Sequence, residues 1–439
     1  MRWHGDKDRI LIKDLRAVVD ARATIRGRVT EIRDLGGIIF IIVADRSGLC
    51  QLVIDSPQKL PDLQSIVTCK GRIVDNEKAP TGIEMIVESL NVESAPEREL
   101  PFNPARINTP LRSDGPNIET LFNYRSLSLR SITHQSIVKV TSELLKALDD
   151  FFRSRDFVEI KTSKIVGGGT EGGSGLFEVK YFERVAYLAQ SPQLYKQTLA
   201  ATPLERVFEI GPAFRAEKHA TIRHINEFTS IDAEMAFPQD MYDLMDFQED
   251  LLKHCINHLS DTCQDTIDLL ETELPKIAGD IPRLDLEQAK EIVTGVKPTR
   301  SKPAQDLTPE EENNICEWAK QNHKSEAVFI HSFPVSKRPF YTMRQENPRK
   351  TQSFDLILRG LEISSGSIRV HDPKLLKANL ERQGLTVESL SSYLEVFQFG
   401  CPPHGGFGMG LERLLQKLLN LPNIRYACLF PRDRNRIEP

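Results

Sequence analysis

The 439-residue chain offers no disulfide framework: its seven cysteines (Cys50, Cys69, Cys255, Cys263, Cys316, Cys401 and Cys428) are odd in number, scattered and free of any C-x-x-C pair. A reducing cytoplasmic setting is the expectation. No run of about 18 apolar residues is present to span a bilayer, and Met1-Arg2-Trp3-His4-Gly5-Asp6 lacks the charged start and apolar core of a signal peptide, so no membrane association is expected. Excess positive charge is absent too: a net charge of -5 excludes a globally basic nucleic-acid coat and leaves RNA contact to local patches. There is no low-complexity tract, and 40% hydrophobic with 27% charged residues is ordinary for a folded chain of two or three domains. His254 and His258, with Cys263 downstream, have zinc-ligand spacing but lack an H-E-x-x-H glutamate, so they read as surface or packing residues. The glycine cluster before residue 176 lacks the G-K-[ST] ending of a phosphate loop.

Residues 10–94 are rich in β-branched residues and broken at short intervals by Gly36-Gly37, Asp45-Arg46-Ser47-Gly48, Pro57 and Pro80-Thr81-Gly82. Short strands at that spacing predict a five-stranded oligonucleotide-binding barrel. Arg26 and Arg28 share one strand face with Thr24 and Thr30, Phe40 lies on the next strand and Gln51 on the one after. Charge for phosphate, a ring for stacking and an amide for base edges suit a single-stranded nucleic acid; a core phenylalanine beside solvated arginines fits the residues equally well. Five prolines between Ala95 and Glu119 mark a semi-rigid linker, and residues 133–155 carry helical periodicity. The domain reading is a barrel over 1–100, a hinge over 101–125 and a second domain over 126–439 with a helical insertion near 238–338.

In the second domain, residues 207–237 read as strand, loop, strand. Thr229, Ile231, Ala233, Met235 and Phe237 share one face of the second strand, and Phe228, Ser230, Asp232 and Glu234 share the other. Arg215, Glu217, Arg223 and His224 add a charged rim, which suits a polyanionic ligand better than a core. Arg359-Gly360 makes a two-residue turn, across which Asp355 shares a face with Glu362 and, by simple counting, Ser364. Two carboxylates on one face make a Mg2+ site plausible, with a solvated polar face as the plain alternative. Residues 404–421 read as a glycine-rich strand turning into an amphipathic helix that carries Arg413, and Gln190-Ser191-Pro192-Gln193 reads as a helix start with Lys196 one turn in.

These segments together resemble the class II aminoacyl-tRNA synthetases, specifically the aspartyl branch of archaeal type. FRAE at 214–217 with Arg223, His224, Phe228 and Asp232 resembles motif 2, and GFGMGLER at 406–413 resembles motif 3. TEGG at 170–173 and QSPQLYKQ at 190–197 resemble the flipping loop and amino-acid pocket, and FPRD at 430–433 also matches. The resemblance implies an α+β protein with an N-terminal OB-fold for the anticodon, an antiparallel catalytic sheet flanked by helices, and a homodimer. It implies ATP as substrate, with Arg215 on the α-phosphate, Glu217 on the adenine amino group, Arg223, His224 and Arg413 around the terminal phosphates and Phe228 under the base. Mg2+ would sit on Glu362 and Ser365 with Asp355 nearby; Ser365, against the count favouring Ser364, requires a bulge. For L-aspartate, Lys196 and Arg369 would grip the side-chain carboxylate, while Asp232, Glu171 and Gln193 receive the ammonium. Lys196→Ala is accordingly expected to abolish aspartate activation and leave the fold intact. Phe40 and Gln51, beside Arg26 and Arg28, would read the anticodon.

Three departures stand out. Ser163 replaces the proline that normally follows the motif 1 threonine, which bears on the dimer. The usual R-[FY]-L-D-L-R appears as Arg125-Ser126-Leu127-Ser128-Leu129-Arg130. The barrel lacks the tryptophan of strict aspartyl enzymes, so charging of tRNA(Asn) beside tRNA(Asp) is open. An inactive RNA-binding relative and a tRNA-independent amide-forming one are further alternatives; the first is opposed by the presence of Arg215, Glu217, Glu362 and Arg413, the second by the barrel.

Overall fold

The computed structural model describes residues 9–55, 59–79, 81–107, 116–169, 175–219, 221–299, 301, 303–387 and 390–438. These fall into two compact units, one holding the barrel and continuing to Ile132, the other running from Thr133 onward.

In the first unit β1 (Arg22–Asp34), β2 (Ile39–Asp45), β3 (Gly48–Ile54), β4 (Ile66–Asp75) and β5 (Ile83–Ser94) close a barrel in the order β1-β2-β3-β5-β4. Alternation sends Ala23, Ile25 and Val29 into the core and leaves Thr24, Arg26 and Arg28 outside. A bulge at Thr30 shifts the register, so that Ile32 rather than Glu31 joins the core. The short helices α1 (Ile118–Asn123) and α2 (Arg125–Ser128) group with the barrel. Of the hinge expected over 101–125, residues 108–115 lie outside the described residues; the two compact units divide at Ile132/Thr133, beyond the expected second-domain start at 126.

The second unit begins its helices with α3 (Ile132–Ser154), whose Ile137, Val140, Leu144, Leu148 and Phe152 recur at helical spacing and are buried. Phe152 stacks on Phe208 with centroids 4.6 Å apart. The strands that follow are β6 (Val158–Glu159), β7 (Ile165–Val166), β8 (Glu178–Tyr181), β9 (Arg184–Leu188), β10 (Arg206–Phe214), β11 (Glu227–Ala236), β12 (Arg283–Asp285), β13 (Ala327–His331), β14 (Ser353–Leu358), β15 (Leu361–Ile368) and β16 (His404–Gly410). Between them lie α4 (Gln193–Ala200), α5 (Met241–Leu269), α6 (Leu286–Thr294), α7 (Pro309–His323), α8 (Pro373–Arg382) and α9 (Ser391–Gln398), and α10 (Leu411–Leu418) closes the series. Eight strands form one sheet, β12-β13-β14-β15-β16-β11-β10-β6, antiparallel except for its outermost pairs. β7, β9 and β8 form a small separate sheet.

The segment 238–338, expected as an insertion, instead supplies strands β12 and β13 to this sheet. Its long helix α5 seals the face away from the cavity, where Gln248 Nε2 donates to Ser364 Oγ at 2.8 Å. Sheet strands this short, separated by long helices, leave little alternation to read. Phe237, assigned to the β11 face, lies past the strand end with φ +60° and 62% exposure.

β16 passes so close to β11 that only glycine fits at 406: a Cβ there would lie 2.1 Å from Ala233 O and 2.4 Å from Glu234 Oε2. Gly406→Ala is expected to cost about 2 kcal/mol by overpacking and to move the Glu234 carboxylate. A lowered melting temperature together with a raised KM for the amino acid would report it; an unchanged melting temperature would contradict the close approach.

Candidate active site

One end of a cavity of about 280 Å³ in the second unit is built on the β11 face. Ser230, Asp232 and Glu234 alternate along it, and all three are buried. Lys196, from the first turn of α4, places Nζ 2.7 Å from Asp232 Oδ1, 2.7 Å from Phe407 O and 3.6 Å from Glu234 Oε2. Arg369 forks onto Glu234, with Nε–Oε1 at 2.8 Å and a terminal nitrogen to Oε2 at 3.1 Å, and also donates to Ser367 Oγ at 2.6 Å. Burial opposes ionisation of Glu234, but the charges of Arg369 and Lys196 outweigh it and hold the carboxyl below its ordinary value. Two cations and two carboxylates thus neutralise one another with no water-exposed member.

Two expectations change here. Lys196 is 1% exposed and lies behind Asp232 rather than on the cavity wall, because a buried ammonium needs the partners found there. It is a structural partner of two carboxylates, so its removal also costs stability. Asp232 is already taken by Lys196 and by Ser230 Oγ at 2.5 Å. Gln193 lines the cavity with a buried carboxamide nitrogen that has no partner among the described residues. Glu171 lies outside the described residues, as do Thr170 and the glycines that follow it.

At the other end the β10–β11 hairpin carries Arg215, Glu217, Arg223, His224 and Phe228, all lining the cavity. The Arg215 guanidinium lies 5.5 Å from the Phe228 ring centre. Buried Asn226 fixes the rim by donating to the carbonyls of Arg215 (2.9 Å) and Glu217 (3.3 Å), a positioning role the sequence did not signal. His224 is held below its ordinary pKa by burial and then by the Arg413 charge, and its Nδ1 is 2.6 Å from Thr221 Oγ1. Arg413, projecting from α10, donates to the Glu362 carbonyl at 3.0 Å. Arg223 pairs at 3.1 Å with Glu312 of α7, whose carboxyl is pushed up to about 7 chiefly by burial. Glu312 sits in the acidic first turn of a capped helix, so in sequence it reads as a solvated cap residue.

The third wall is the β14–β15 hairpin. Arg359 (φ 45°) and Gly360 (φ 72°) form its left-handed turn. The register slips between Leu356 and Ile357, so Asp355 lies opposite Ser365 and Leu356 opposite Ser364. Ser364 faces α5, and Ser365 Oγ donates to Glu362 Oε1 at 2.9 Å. Asp355 is pushed up to about 6, first by burial, which outweighs the Arg338 charge, and then by Glu362. Arg338 takes Asp355 Oδ2 at 2.6 Å, while Oδ1 is buried without a hydrogen-bond partner among the described residues. An orphaned carboxylate oxygen beside a second carboxylate is short of a cation, so the donor set fits Mg2+. The other candidate metal group does not assemble: His258 pairs with Glu143 at 3.0 Å, and no cluster of three or more His, Cys, Asp or Glu among the described residues could hold a metal ion.

Glu412, next to Arg413, accepts the Thr229 backbone N–H at 3.0 Å with both oxygens and is 8% exposed. Burial raises its pKa from 4.5 to about 7 against those hydrogen bonds. The folded chain therefore keeps this proton at pH values where the unfolded chain has lost it. Its contribution to stability is full below pH 4.5 and is lost as pH rises through about 7. Glu412→Gln is expected to remove a decline of about 2 kcal/mol over that window. Unfolding curves at pH 5 and pH 8 check this, and an equal pH slope in the two proteins would contradict it.

On the barrel, Arg26, Phe40 and Gln51 lie on the outer face, Arg26 exposed and Phe40 half-buried. Gln51 Nε2 donates to Glu84 at 2.8 Å, so its amide is partly committed. Arg28 donates to Gln64 O at 2.9 Å, and burial and then Arg130 lower its pKa. Both arginines share the outer face as expected, but the Arg28 guanidinium is committed to Gln64.

Residues 117–434 match the family of class II tRNA synthetases (D, K and N), and residues 23–93 match the OB-fold nucleic acid binding domain. The chain belongs to the class II aminoacyl-tRNA synthetases of the D, K and N group. It is 44% identical over 432 residues to an aspartate–tRNA(Asp/Asn) ligase of Thermus thermophilus, covering 98% of this chain and 100% of that protein. It is 39% identical to an aspartate–tRNA(Asp) ligase of Thermococcus kodakarensis, covering 95% and 96%. Among solved structures, the aspartyl-tRNA synthetase of Entamoeba histolytica superposes with a TM-score of 0.86 at 28% identity over 100% of this chain and 94% of that one. The asparaginyl-tRNA synthetase of Pyrococcus horikoshii, complexed with asparaginyl-adenylate, gives 0.87 at 29% over 99% and 100%.

Proposed function

We propose that this protein is an aspartate–tRNA ligase, which activates L-aspartate with ATP and transfers it to the 3′ end of tRNA(Asp). The observation that carries this reading is the two-ended cavity: Arg369 on its wall, with Lys196 buried behind Asp232, at one end and a ring plus cations, Phe228 with Arg215, Arg223, His224 and Arg413, at the other. Aspartate's side-chain carboxylate takes Arg369 and, by sharing with Asp232, Lys196. An asparagine amide would face those donors with its own NH₂, a mismatch costing several-fold to many-fold in affinity. Gln193, Asp232 and the family's Glu171 are assigned to the ammonium end. Adenine stacks on Phe228, with Glu217 at its amino group.

The reaction needs no protein nucleophile. The α-carboxylate attacks the α-phosphorus in line with pyrophosphate departure, and the enzyme supplies position and charge. Arg215 stabilises the crowded α-phosphate oxygens, while Arg223, His224 and Arg413 hold the departing end. Glu312 must release Arg223 for that contact. Glu362 and Ser365, with Asp355, would hold Mg2+, which neutralises phosphate oxygens when bound. The terminal ribose hydroxyl of the tRNA, at the 3′ position, then attacks the activated carbonyl.

The assay is aspartate-dependent exchange of labelled pyrophosphate into ATP, followed by charging of purified tRNAs. No exchange with aspartate sinks the reading. A second reading, charging of tRNA(Asn) as well, is favoured by the barrel, which lacks the tryptophan of strict enzymes and turns Arg28 toward Gln64; charging of tRNA(Asp) alone removes it. A homodimer in the cytoplasm completes the proposal. Val158 on the edge strand β6 and Ile165 are 43% and 51% exposed, the apolar surface a second copy would cover. No helix among the described residues is long and apolar enough to cross a membrane.

A further inference from the structure

Beside the cavity described above lies a second one of about 670 Å³, formed by the segment after β13 and by α8. Its lining includes Lys337, Arg338, Arg344 and Arg382 and contains no aspartate or glutamate. Arg338 is neutralised by Asp355, but Arg344 and Arg382 have no carboxylate partner among the described residues. Both instead converge on one neutral atom: Asn379 Oδ1 accepts from Arg382 at 2.8 Å and from Arg344 at 3.4 Å. Asn379 is 5% exposed and is itself pinned by donating Nδ2 to Phe340 O at 3.0 Å. Arg344 Nε is buried with no hydrogen-bond partner among the described residues. Two guanidinium groups held together by a buried amide, with donor capacity unspent and no internal counter-ion, are arranged for an external anion.

Position selects which anion. Arg338, Pro339 and Thr342 line both cavities, so the basic one shares a wall with the proposed site of adenylation. Thr342 bridges to Arg369 of the amino-acid end through the backbone. ATP and aspartate are accounted for by cations inside the first cavity, whereas the second substrate is a polyanion that must thread its terminus toward the same point. We infer that the Arg344–Arg382 cavity is a phosphate subsite for the single-stranded 3′ terminus of the RNA, gripping a phosphodiester one or two nucleotides before the reacting ribose. The inference rests on the proposed ligase function. The contacts are to backbone phosphate, so they position the strand without reading its bases.

The test compares the parent enzyme with Arg382→Gln, with the double variant Arg344→Gln/Arg382→Gln, and with the charge-retaining Arg344→Lys/Arg382→Lys. Steady-state charging should show the KM for tRNA raised about tenfold in the double glutamine variant and largely recovered with lysines. Its log–log salt dependence should lose about 0.7 of a unit of slope, as one fewer phosphate is neutralised on a single strand. Aspartate-dependent pyrophosphate exchange should keep its kcat and its KM for ATP within about twofold, which also certifies the fold. A tRNA KM and salt slope equal to the parent's in both glutamine variants would overturn the subsite. A raised KM for ATP or pyrophosphate with tRNA unaffected would assign the cavity to free nucleotide phosphate and overturn the RNA assignment. Arg382 is exposed, so its single variant keeps the test valid if the double variant fails to fold. Absence of exchange in the parent enzyme would instead refute the ligase reading on which the inference stands.

Discussion

Lys196→Ala is expected to lower aspartate activation at least about a hundredfold and to destabilise the catalytic unit by about 3 kcal/mol. Both effects have one cause. The ammonium is 1% exposed and bonded to Asp232 and the Phe407 carbonyl at 2.7 Å each, with Glu234 at 3.6 Å, so truncation strands a buried carboxylate. The two effects separate in a double variant. Lys196→Met with Asp232→Asn removes a cation and an anion together, so stability should return toward that of the parent while pyrophosphate exchange with aspartate stays lost. Near-parental exchange by either variant would refute the pocket assignment, and an unchanged melting temperature for Lys196→Ala would refute the buried pairing.

Arg215→Ala should act on rate more than on binding. The guanidinium stands at the end of β10, above the Phe228 ring and beside a strand whose polar face is already neutral. As the proposed donor to the α-phosphate at the moment of attack, it should be worth about 10²–10³ in kcat for exchange. KM values for aspartate and ATP should move only a few-fold. Arg215→Lys restores charge but not the planar fork and should recover part of the loss. A kcat within about fivefold of the parent would mean that Arg215 does not touch the reacting phosphate.

Much of this site was legible in the sequence because motif residues lie on regular strands. Alternation in β11 assigns Ser230, Asp232 and Glu234 to one face, and FRAE and GFGMGLER carry their spacing with them. What was not legible has physical causes. Glu234 falls on the right face without a role, since only the fold brings Arg369 across to it from the end of β15. Ser364 and Ser365 exchange faces because of one slipped residue, which period-two counting does not register. Glu312 and Arg338 come from a stretch read as an insertion, yet they pair with Arg223 and Asp355. On the barrel, outward direction was readable, but the capture of Gln51 by Glu84 and of Arg28 by Gln64 depends on strand neighbours distant in the chain.

The closed charge quartet of Lys196, Arg369, Asp232 and Glu234 also bears on how the empty enzyme endures. A pocket that waits for an anion with bare cations would depend on its ligand to remain folded. This one carries its counter-ions with it, so arriving aspartate exchanges partners rather than adding them. At equal concentrations the amino acid alone should therefore raise the melting temperature less than the nucleotide does. Amino-acid starvation would then leave the synthetase intact, idle and ready.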